Sequence, residues 1–517
     1  MGNSKVKFGG AKIYARSMLG LHAYPIDVEC HVSSGLPSTT IVGLPQGSVR
    51  EARDRVRSAL RNLGWEYPDS RVVFNLAPAE ITKSGTGLDL PIAVSLLAAS
   101  GQISRNHLDR FEFIGELGLF GELRPVQGAV TCALEAQKSG RQVILPYANK
   151  SEADLIPGAD CLPVRHLGAA LDILEHGELE AQPNPPNAAQ ANLRANPTTD
   201  LSAAPSPNTV IGQYAAKRAL LLAAAGGHHL LMIGPPGTGK TLLAQNMNFL
   251  LPSLTADQII EVAKVYSAAG ITREHYHRPP LRAPHHSATG AALIGGGNPP
   301  TPGELALAHE GLLFLDELPH FKPSALNLLR EPLESGIAML ARAAYKVEYP
   351  CKFQLIAAMN PCPAGRSCRE DACRCDAAAK HRYQTRISGP ILDRIDMHVA
   401  VPEVDPQLLI SLKDEQATDW PTLANTVRET RISQKQRQGH LNSALTTHEI
   451  SEQMENATVD KQFLDRAVKN FQLSARSYQK LWRIARTVAD LEKKDAIEQS
   501  HMSEALRYRS LDWESGV

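Results

Sequence analysis

Positions 234 to 241 read Gly-Pro-Pro-Gly-Thr-Gly-Lys-Thr, directly behind the apolar run His229-Leu-Leu-Met-Ile233. A short buried strand that ends in a glycine-rich turn and opens a helix presents backbone N–H groups and a helix N-terminus to an anion. The chemistry that fits is the binding of a nucleoside triphosphate. The backbone of Gly234, Pro235, Pro236, Gly237, Thr238 and Gly239 wraps the phosphates, Lys240 reaches the β- and γ-phosphates, and the Thr241 hydroxyl ligates Mg²⁺. Strand, loop, Lys-Thr and the helix-favouring Leu242-Leu-Ala-Gln245 follow in that order, which separates the pattern from a chance glycine-rich turn.

Two further strand ends complete that chemistry. Gly311-Leu-Leu-Phe-Leu-Asp-Glu317 is an apolar run closed by two carboxylates. Asp316 can share the Mg²⁺ shell with Thr241, and Glu317 can polarise an attacking water. A third run, Phe353-Gln-Leu-Ile-Ala-Ala-Met359, ends at Asn360, whose amide can orient the water and touch the γ-phosphate. A turn residue at a strand end is the plainer reading of the same asparagine.

Cys362, Cys368, Cys373 and Cys375 are closely spaced. Four thiolates can hold structural zinc, and such clustering favours metal over disulfides where no secretion signal is present. The spacing differs from that of a standard zinc ribbon, so reduced thiols in a loop stand as the alternative. His285 and His286 are adjacent, which predicts side chains pointing apart and packing in a loop.

The elements that must position these residues follow from pattern. At 517 residues the chain is too long for one core and divides into roughly three units. Val72 to Leu76 and Phe111 to Gly115 read as strands, and Leu90 to Ala99 and Ala129 to Ser139 as helices, which makes residues 1–181 an α/β domain. Ser48 to Leu63 has helical spacing with Arg50, Arg53, Arg57 and Arg61 on one face. A phosphate-tracking face is one reading, and a solvated face balanced by Glu51 and Asp54 the plainer one. Residues 182–208 are rich in Pro, Asn and Ala and read as a linker. Residues 209–405 alternate apolar strands and helices, as a parallel sheet covered on both faces requires. Residues 406–517 read as an α-helical lid, with apolar positions that include Phe463, Leu481, Ile484 and Val488.

Composition narrows the class. Lys plus Arg and Asp plus Glu both number 54, so global charge gives no argument for nucleic acid, and polyanion binding must come from local basic faces. No apolar run reaches membrane-spanning length, and Met1-Gly-Asn-Ser-Lys-Val-Lys7 lacks the apolar core of a secretion signal, which predicts a cytoplasmic protein without membrane contact.

Arg282-Ala-Pro-His-His-Ser287, Ile294-Gly-Gly-Gly297, Pro302-Gly-Glu-Leu-Ala-Leu-Ala-His309, Phe314-Leu-Asp-Glu-Leu-Pro319, Ala357-Ala-Met-Asn-Pro-Cys362 and Arg386-Ile-Ser-Gly-Pro-Ile-Leu-Asp-Arg394 resemble the Mg-chelatase-like AAA+ ATPases, in their YifB/ComM branch. The resemblance implies an AAA+ P-loop parallel-sheet core and a homo-hexameric ring that uses ATP and Mg²⁺ to drive branch migration of single-stranded or branched DNA during natural transformation. It gives Asn360 a sensor role, places Ile211 and Gly212 at the adenine, and makes Arg394, with Arg386 second, the finger that completes a neighbour's site. Arg483 becomes the second sensor, with Arg486 and Arg476 behind it. The inserts Leu281 to Pro302 and Ile337 to Phe353 become pore hairpins, with Gly295, Gly296, Arg342 and Lys346 as DNA contacts. Bracing of the subunit interface is the alternative use of both inserts. Ala364 stands where many family members carry a second cysteine of the cluster, a place Cys368 can fill.

Thr82 to Ala93 and Gly115 to Gly128 resemble the Lon protease catalytic domain, of the ribosomal S5 domain 2-like fold. The dyad positions of that enzyme fall at Gly87 and Val130, so the resemblance implies the fold without the peptidase. Two rival functions remain in view: a chelatase-type motor that remodels a partner protein, and an ATP-dependent Lon-like protease, against which Gly87 and Val130 argue.

Overall fold

The computed structural model describes residues 9–83, 85–176, 210–342, 345–364, 375–404 and 418–509. The expected linker at 182–208, Cys368 and Cys373 lie outside the described residues. Among the described helices none is long and apolar enough to cross a membrane.

The first domain opens with β1 (Gly9–Leu19), β2 (His22–Ser33), β3 (Ser38–Val42), α1 (Gly47–Asn62), β4 (Arg71–Ala77) and α2 (Asp89–Ala99). It closes with β5 (Phe111–Phe113), β6 (Glu116–Leu117), β7 (Leu123–Arg124), α3 (Ala129–Lys138), β8 (Gln142–Pro146), α4 (Lys150–Ala153), β9 (Cys161–Val164) and α5 (Leu167–His176). The sheet runs β3-β4-β2-β1-β5-β8-β9, antiparallel at β4-β2-β1 and parallel elsewhere. Helix α1 buries Val49, Ala52, Val56, Ala59 and Leu60, while Arg50, Arg53, Arg57 and Arg61 lie exposed on the other side. The arginine that binds tightly is off that stripe: Arg55 holds buried Asp89 through two nitrogens at 2.6 and 2.9 Å.

The second domain begins with α6 (Tyr214–Gly226), β10 (Leu230–Ile233), α7 (Lys240–Leu250), α8 (Ala256–Ala269) and β11 (Leu281–Arg282). There follow α9 (Gly290–Ile294), β12 (Gly295–Gly296), β13 (Thr301–Pro302), α10 (Glu304–Leu307), β14 (Leu312–Leu315), α11 (Pro323–Asn327) and α12 (Pro332–Ser335). Last come β15 (Ile337–Arg342), β16 (Tyr345–Pro350), β17 (Gln354–Met359), α13 (Ala377–Gln384), α14 (Gly389–Leu392) and β18 (Met397–Ala400). The central sheet is parallel throughout, in the order β11-β14-β17-β10-β18. Its strands β10 (Leu-Leu-Met-Ile) and β14 (Leu-Leu-Phe-Leu) are apolar and buried at every position because both faces are covered. Leu230 and Met232 face one core with Ile356 and Ala358, whereas Leu231 and Ile233 face the other with Leu355 and Ala357.

The lid comprises α15 (Trp420–Gln438), α16 (Thr447–Glu455), α17 (Lys461–Asn470), α18 (Ala475–Leu491) and α19 (Gln499–Arg507). Leu481, Ile484, Ala485 and Val488 of α18 sit in the first core beside the sheet and α6. Each large side chain buried there contributes roughly 1.5–3 kcal/mol.

The front domain is not merely tethered to the second. Leu21, Val130, Ala133 and Ile156 share the second core with Val262, Tyr266 and Val347. The Gly128 N–H donates to Ser267 O at 3.0 Å, and Ser267 Oγ donates to buried Glu152 at 2.6 Å. Val130 is apolar because it packs in this seam, at 0% exposure. Gly87 lines a cavity of about 590 Å³ that also takes in Asn298, Pro299 and Pro300 from the second domain. Neither dyad position carries peptidase chemistry, and Lys83 is buried with its ammonium donating to Pro78 O.

Candidate nucleotide site

Strand β10 delivers the chain to the loop at the C-terminal edge of the sheet, and Gly239 caps α7 with φ of +88°. Gly237 also takes a positive φ, +87°, and a Cβ added there meets nothing within 4 Å, so no side chain packs on the loop at that point. Lys240 is buried and turned onto its own loop: Nζ donates to Gly234 O at 2.8 Å, to Pro235 O at 2.7 Å and to Asn360 Oδ1 at 3.4 Å. Burial pushes its ammonium below the ordinary lysine value, with Asp316 and Glu317 opposing. Lys240 thus keeps its ammonium at the loop on three exchangeable acceptors, whose place phosphate oxygens could take, so the residues present fit a triphosphate.

The oxygen donors fit Mg²⁺ as well. Thr241 Oγ1 donates to Asp316 Oδ2 at 2.9 Å, which brings hydroxyl and carboxylate together as hard ligands. Strand β17 lies between β10 and β14, and this order places Asn360 between the lysine and the two carboxylates. The Glu317 N–H donates to Asp316 Oδ1 at 2.9 Å, and Glu317 itself has φ of +53°. A left-handed conformation at a non-glycine stores local strain of the kind that collects at functional sites.

Several contacts here had no sequence signal. His286 Nδ1 lies 3.4 Å from Glu317 Oε2. The His285 and His286 rings, expected to point apart, are 4.0 Å between centroids at 35°, and His320 and Tyr383 continue the row of rings at 5.9 and 6.0 Å. A bend after β11 turns both imidazoles the same way, which adjacency in sequence cannot reveal. Gln213, a positive-φ cap of α6, donates to Pro402 O at 2.6 Å and Thr238 O at 3.4 Å. This clamps the segment that holds Ile211 and Gly212 against the phosphate loop, with Val210 Cγ1 4.0 Å from where a Gly239 Cβ would stand.

The arginines distribute unevenly. Arg394 Nη2 lies 2.6 Å from Glu334 Oε1, while its other nitrogens donate to Arg330 O at 3.0 Å and Pro390 O at 2.7 Å. Arg386 is exposed. Arg483, expected at the nucleotide as second sensor, is not brought there: it donates to Leu445 O at 2.6 and 3.0 Å and feels the charge of Asp396. Asp396 precedes β18 and accepts the His229 N–H that precedes β10, whereas the phosphate loop follows β10. In a parallel sheet these are opposite edges, separated by a strand of roughly 13 Å. Arg486 is buried against Asp490 at 2.9 Å. Arg476, in the first turn of α18, is exposed and reaches the same Glu334 oxygen as Arg394, at 3.0 Å.

The two inserts meet. Tyr345 OH donates to Gly297 O at 2.6 Å and Tyr349 OH to Pro300 O at 3.0 Å, so hairpin β15–β16 holds hairpin β12–β13. Gly295, expected as pliant pore backbone, is buried, and a Cβ there would stand 2.4 Å from Thr301 O; the close approach of β12 and β13 requires glycine. Gly296 pairs with Thr301 in the same hairpin. Lys346 is exposed and lies 3.5 Å from Glu348, and Arg342 ends β15. Cys362 is buried and Cys375 half-buried, and with Cys368 and Cys373 outside the described residues no four-thiolate geometry can be drawn.

Residues 207–409 match the family described as magnesium chelatase, subunit ChlI; residues 28–149 match subunit ChlI of Mg-chelatase; and residues 419–509 match the ChlI C-terminal family. The chain is 44% identical to the uncharacterized protein YifB of Escherichia coli over 502 residues, 97% of each chain. It is 42% identical to the competence protein ComM of Haemophilus influenzae over 509 residues, again 97% of each. The magnesium-chelatase subunit ChlI of Nephroselmis olivacea is 26% identical over 266 residues, 46% of this chain and 67% of that protein.

Proposed function

This chain belongs to the magnesium-chelatase-like AAA+ proteins of the YifB/ComM type, and from that membership we propose an ATP-driven motor that works on DNA in the cytoplasm. The observation that carries the ATPase is the convergence of Lys240, Thr241, Asp316 and Asn360 at one edge of the parallel sheet. Bound ATP supplies the phosphoanhydride to be cleaved, and Mg²⁺ the charge that neutralises its oxygens. Lys240 would exchange its loop carbonyls for phosphate oxygens, Thr241 and Asp316 would hold the metal, Asn360 would orient the water and Glu317 would accept its proton.

Arg394 acts in trans on a neighbouring subunit of a hexameric ring, with Arg476 beside it as the second sensor in place of Arg483. Supporting this, both arginines share Glu334. The paired hairpins line the ring opening, where Lys346 and Arg342 track DNA phosphates. The front domain reads as a Lon-like fold without its dyad, given Gly87 and Val130. The competence role follows the name of the Haemophilus relative.

The test is ATP-dependent branch migration of a synthetic Holliday junction, wild type against Lys240→Ala. Migration by the wild type alone supports the motor, and junctions left unchanged by the wild type remove it. ATP hydrolysis indifferent to single-stranded and branched DNA would favour a chelatase-type motor that remodels a protein.

A further inference from the structure

The lid meets the core at a second cationic site, away from the nucleotide. Arg428, Arg431 and Lys435 occupy one side of α15, spaced as successive helical turns require. They line a cavity of about 200 Å³ whose other wall is the turn between α7 and α8, with Ser253, Thr255 and Glu310. Helix α7 begins at the phosphate loop, and its 11 residues put the cavity roughly 16 Å from that loop along the helix. The cavity is smaller than the ~300–1,000 Å³ that holds drug-sized ligands, which suits a compact ion.

Arg431 is anchored from below: Nε donates to Ala224 O at 2.7 Å, its one hydrogen bond among the described residues. The four N–H donors on its terminal nitrogens remain for the cavity. Among the described residues neither Arg428 nor Lys435 has an ion-pair partner, whereas the neighbouring Arg437 pairs with Asp490 at 2.7 Å. Glu310 is the one carboxylate in the wall, and its oxygen accepts from Gln258 Nε2. The nearby His309 holds no free lone pair for a metal, because Nδ1 accepts the Lys352 N–H at 3.1 Å and Nε2 faces Glu261 at 3.1 Å. Three cations against one carboxylate, with hydroxyls beside them, select an anion with several acceptor oxygens.

We propose that Arg428, Arg431 and Lys435 form a phosphate-binding site at the seam of lid and core, which takes either a phosphodiester of a nucleic acid or free phosphate. An occupied site ties α15 to the α7–α8 turn. It is independent of the phosphate loop and of the hairpins, so a nucleic acid bound there runs over the outside of the nucleotide module.

The experiment uses the full chain with its nucleotide site saturated by a non-hydrolysable ATP analogue. One arm titrates a labelled single-stranded oligonucleotide at several salt concentrations by fluorescence anisotropy; the other follows the thermal midpoint against inorganic phosphate. The double variant Arg428→Gln/Lys435→Gln changes exposed side chains only, which spares the fold. A nucleic-acid ligand lowers the slope of log affinity against log salt by about 1.4 in the double variant, ~0.7 for each phosphate left without its cation, and Glu310→Gln tightens binding. A free-phosphate ligand leaves the oligonucleotide titration unchanged and abolishes, in the double variant, the phosphate-dependent rise in midpoint. That rise in a wild type that binds no oligonucleotide keeps this site and removes single-stranded DNA as the motor's substrate, while the junction assay above decides the motor itself. Titrations that coincide for wild type and double variant in both arms overturn the proposal.

Discussion

Glu334 Oε1 lies 2.6 Å from Arg394 Nη2, and this carboxylate also receives Arg476 at 3.0 Å. The hydrogen bond from Arg394, with both guanidinium charges, holds the Glu334 carboxyl below the ordinary glutamate range. Two arginines from segments far apart in sequence, Arg476 exposed and Arg394 largely covered, are thereby collected on a single half-exposed carboxylate.

If Arg394 serves a neighbouring subunit, its loss is repairable. Arg394→Ala alone should retain nucleotide binding and lose turnover by about 10³-fold or more. Mixed with Lys240→Ala subunits, it should regain activity, because some interfaces then pair an intact Lys240 with an intact Arg394. A mixture as inactive as its components would place the arginine in its own subunit's site.

Glu317→Gln should keep nucleotide affinity and lower turnover by about 10²–10⁴-fold, the range for removal of a general base. His286 Nδ1 lies 3.4 Å from that exposed carboxylate, close enough to bias its orientation. His286→Ala should therefore lower kcat by about tenfold with little change in nucleotide affinity. Equal effects on affinity and kcat would assign both residues to binding.

Val130→Asp places a carboxylate in the seam of the two domains, near buried Glu152. An unpaired buried charge should cost about 3 kcal/mol or more, read as a lowered denaturant midpoint. Unchanged unfolding would mean that the seam contributes little to stability.

Acid should destabilise the second domain before its carboxylates titrate. Burial pushes His228 down to about 4 and His398 down to about 3, so both are neutral when folded. The unfolded chain takes up these protons near pH 6.5, and below that value it binds more protons than the folded state, so stability falls as pH falls. The loss is roughly 1.4 kcal/mol per pH unit for each ring until its folded value is reached. The thermal midpoint should be lower at pH 5 than at pH 7.5, and His398→Asn should remove only part of the drop, because His228 and His229, also pushed down by burial, keep their share. A midpoint flat across that range would contradict the burial of neutral imidazoles.

The sequence by itself determined what neighbouring residues encode. Gly234 to Thr241 specified strand, turn and helix; Leu312 to Glu317 and Gln354 to Asn360 specified apolar strands with polar ends; Val49 to Leu60 specified the buried face of α1. All of these depend on periodicity or turn chemistry within a few residues, which tertiary context had no reason to overrule. Tertiary structure alone decided which side chains meet. The parallel order β11-β14-β17-β10-β18 set Asn360 between Lys240 and Asp316, and sent Arg483 to the far edge of the same sheet while Arg476 reached Glu334. His286 found Glu317, Val130 found Ser267, and Gly295 was fixed by the backbone of Thr301, because each contact joins elements whose separation in space has no counterpart in their spacing along the chain.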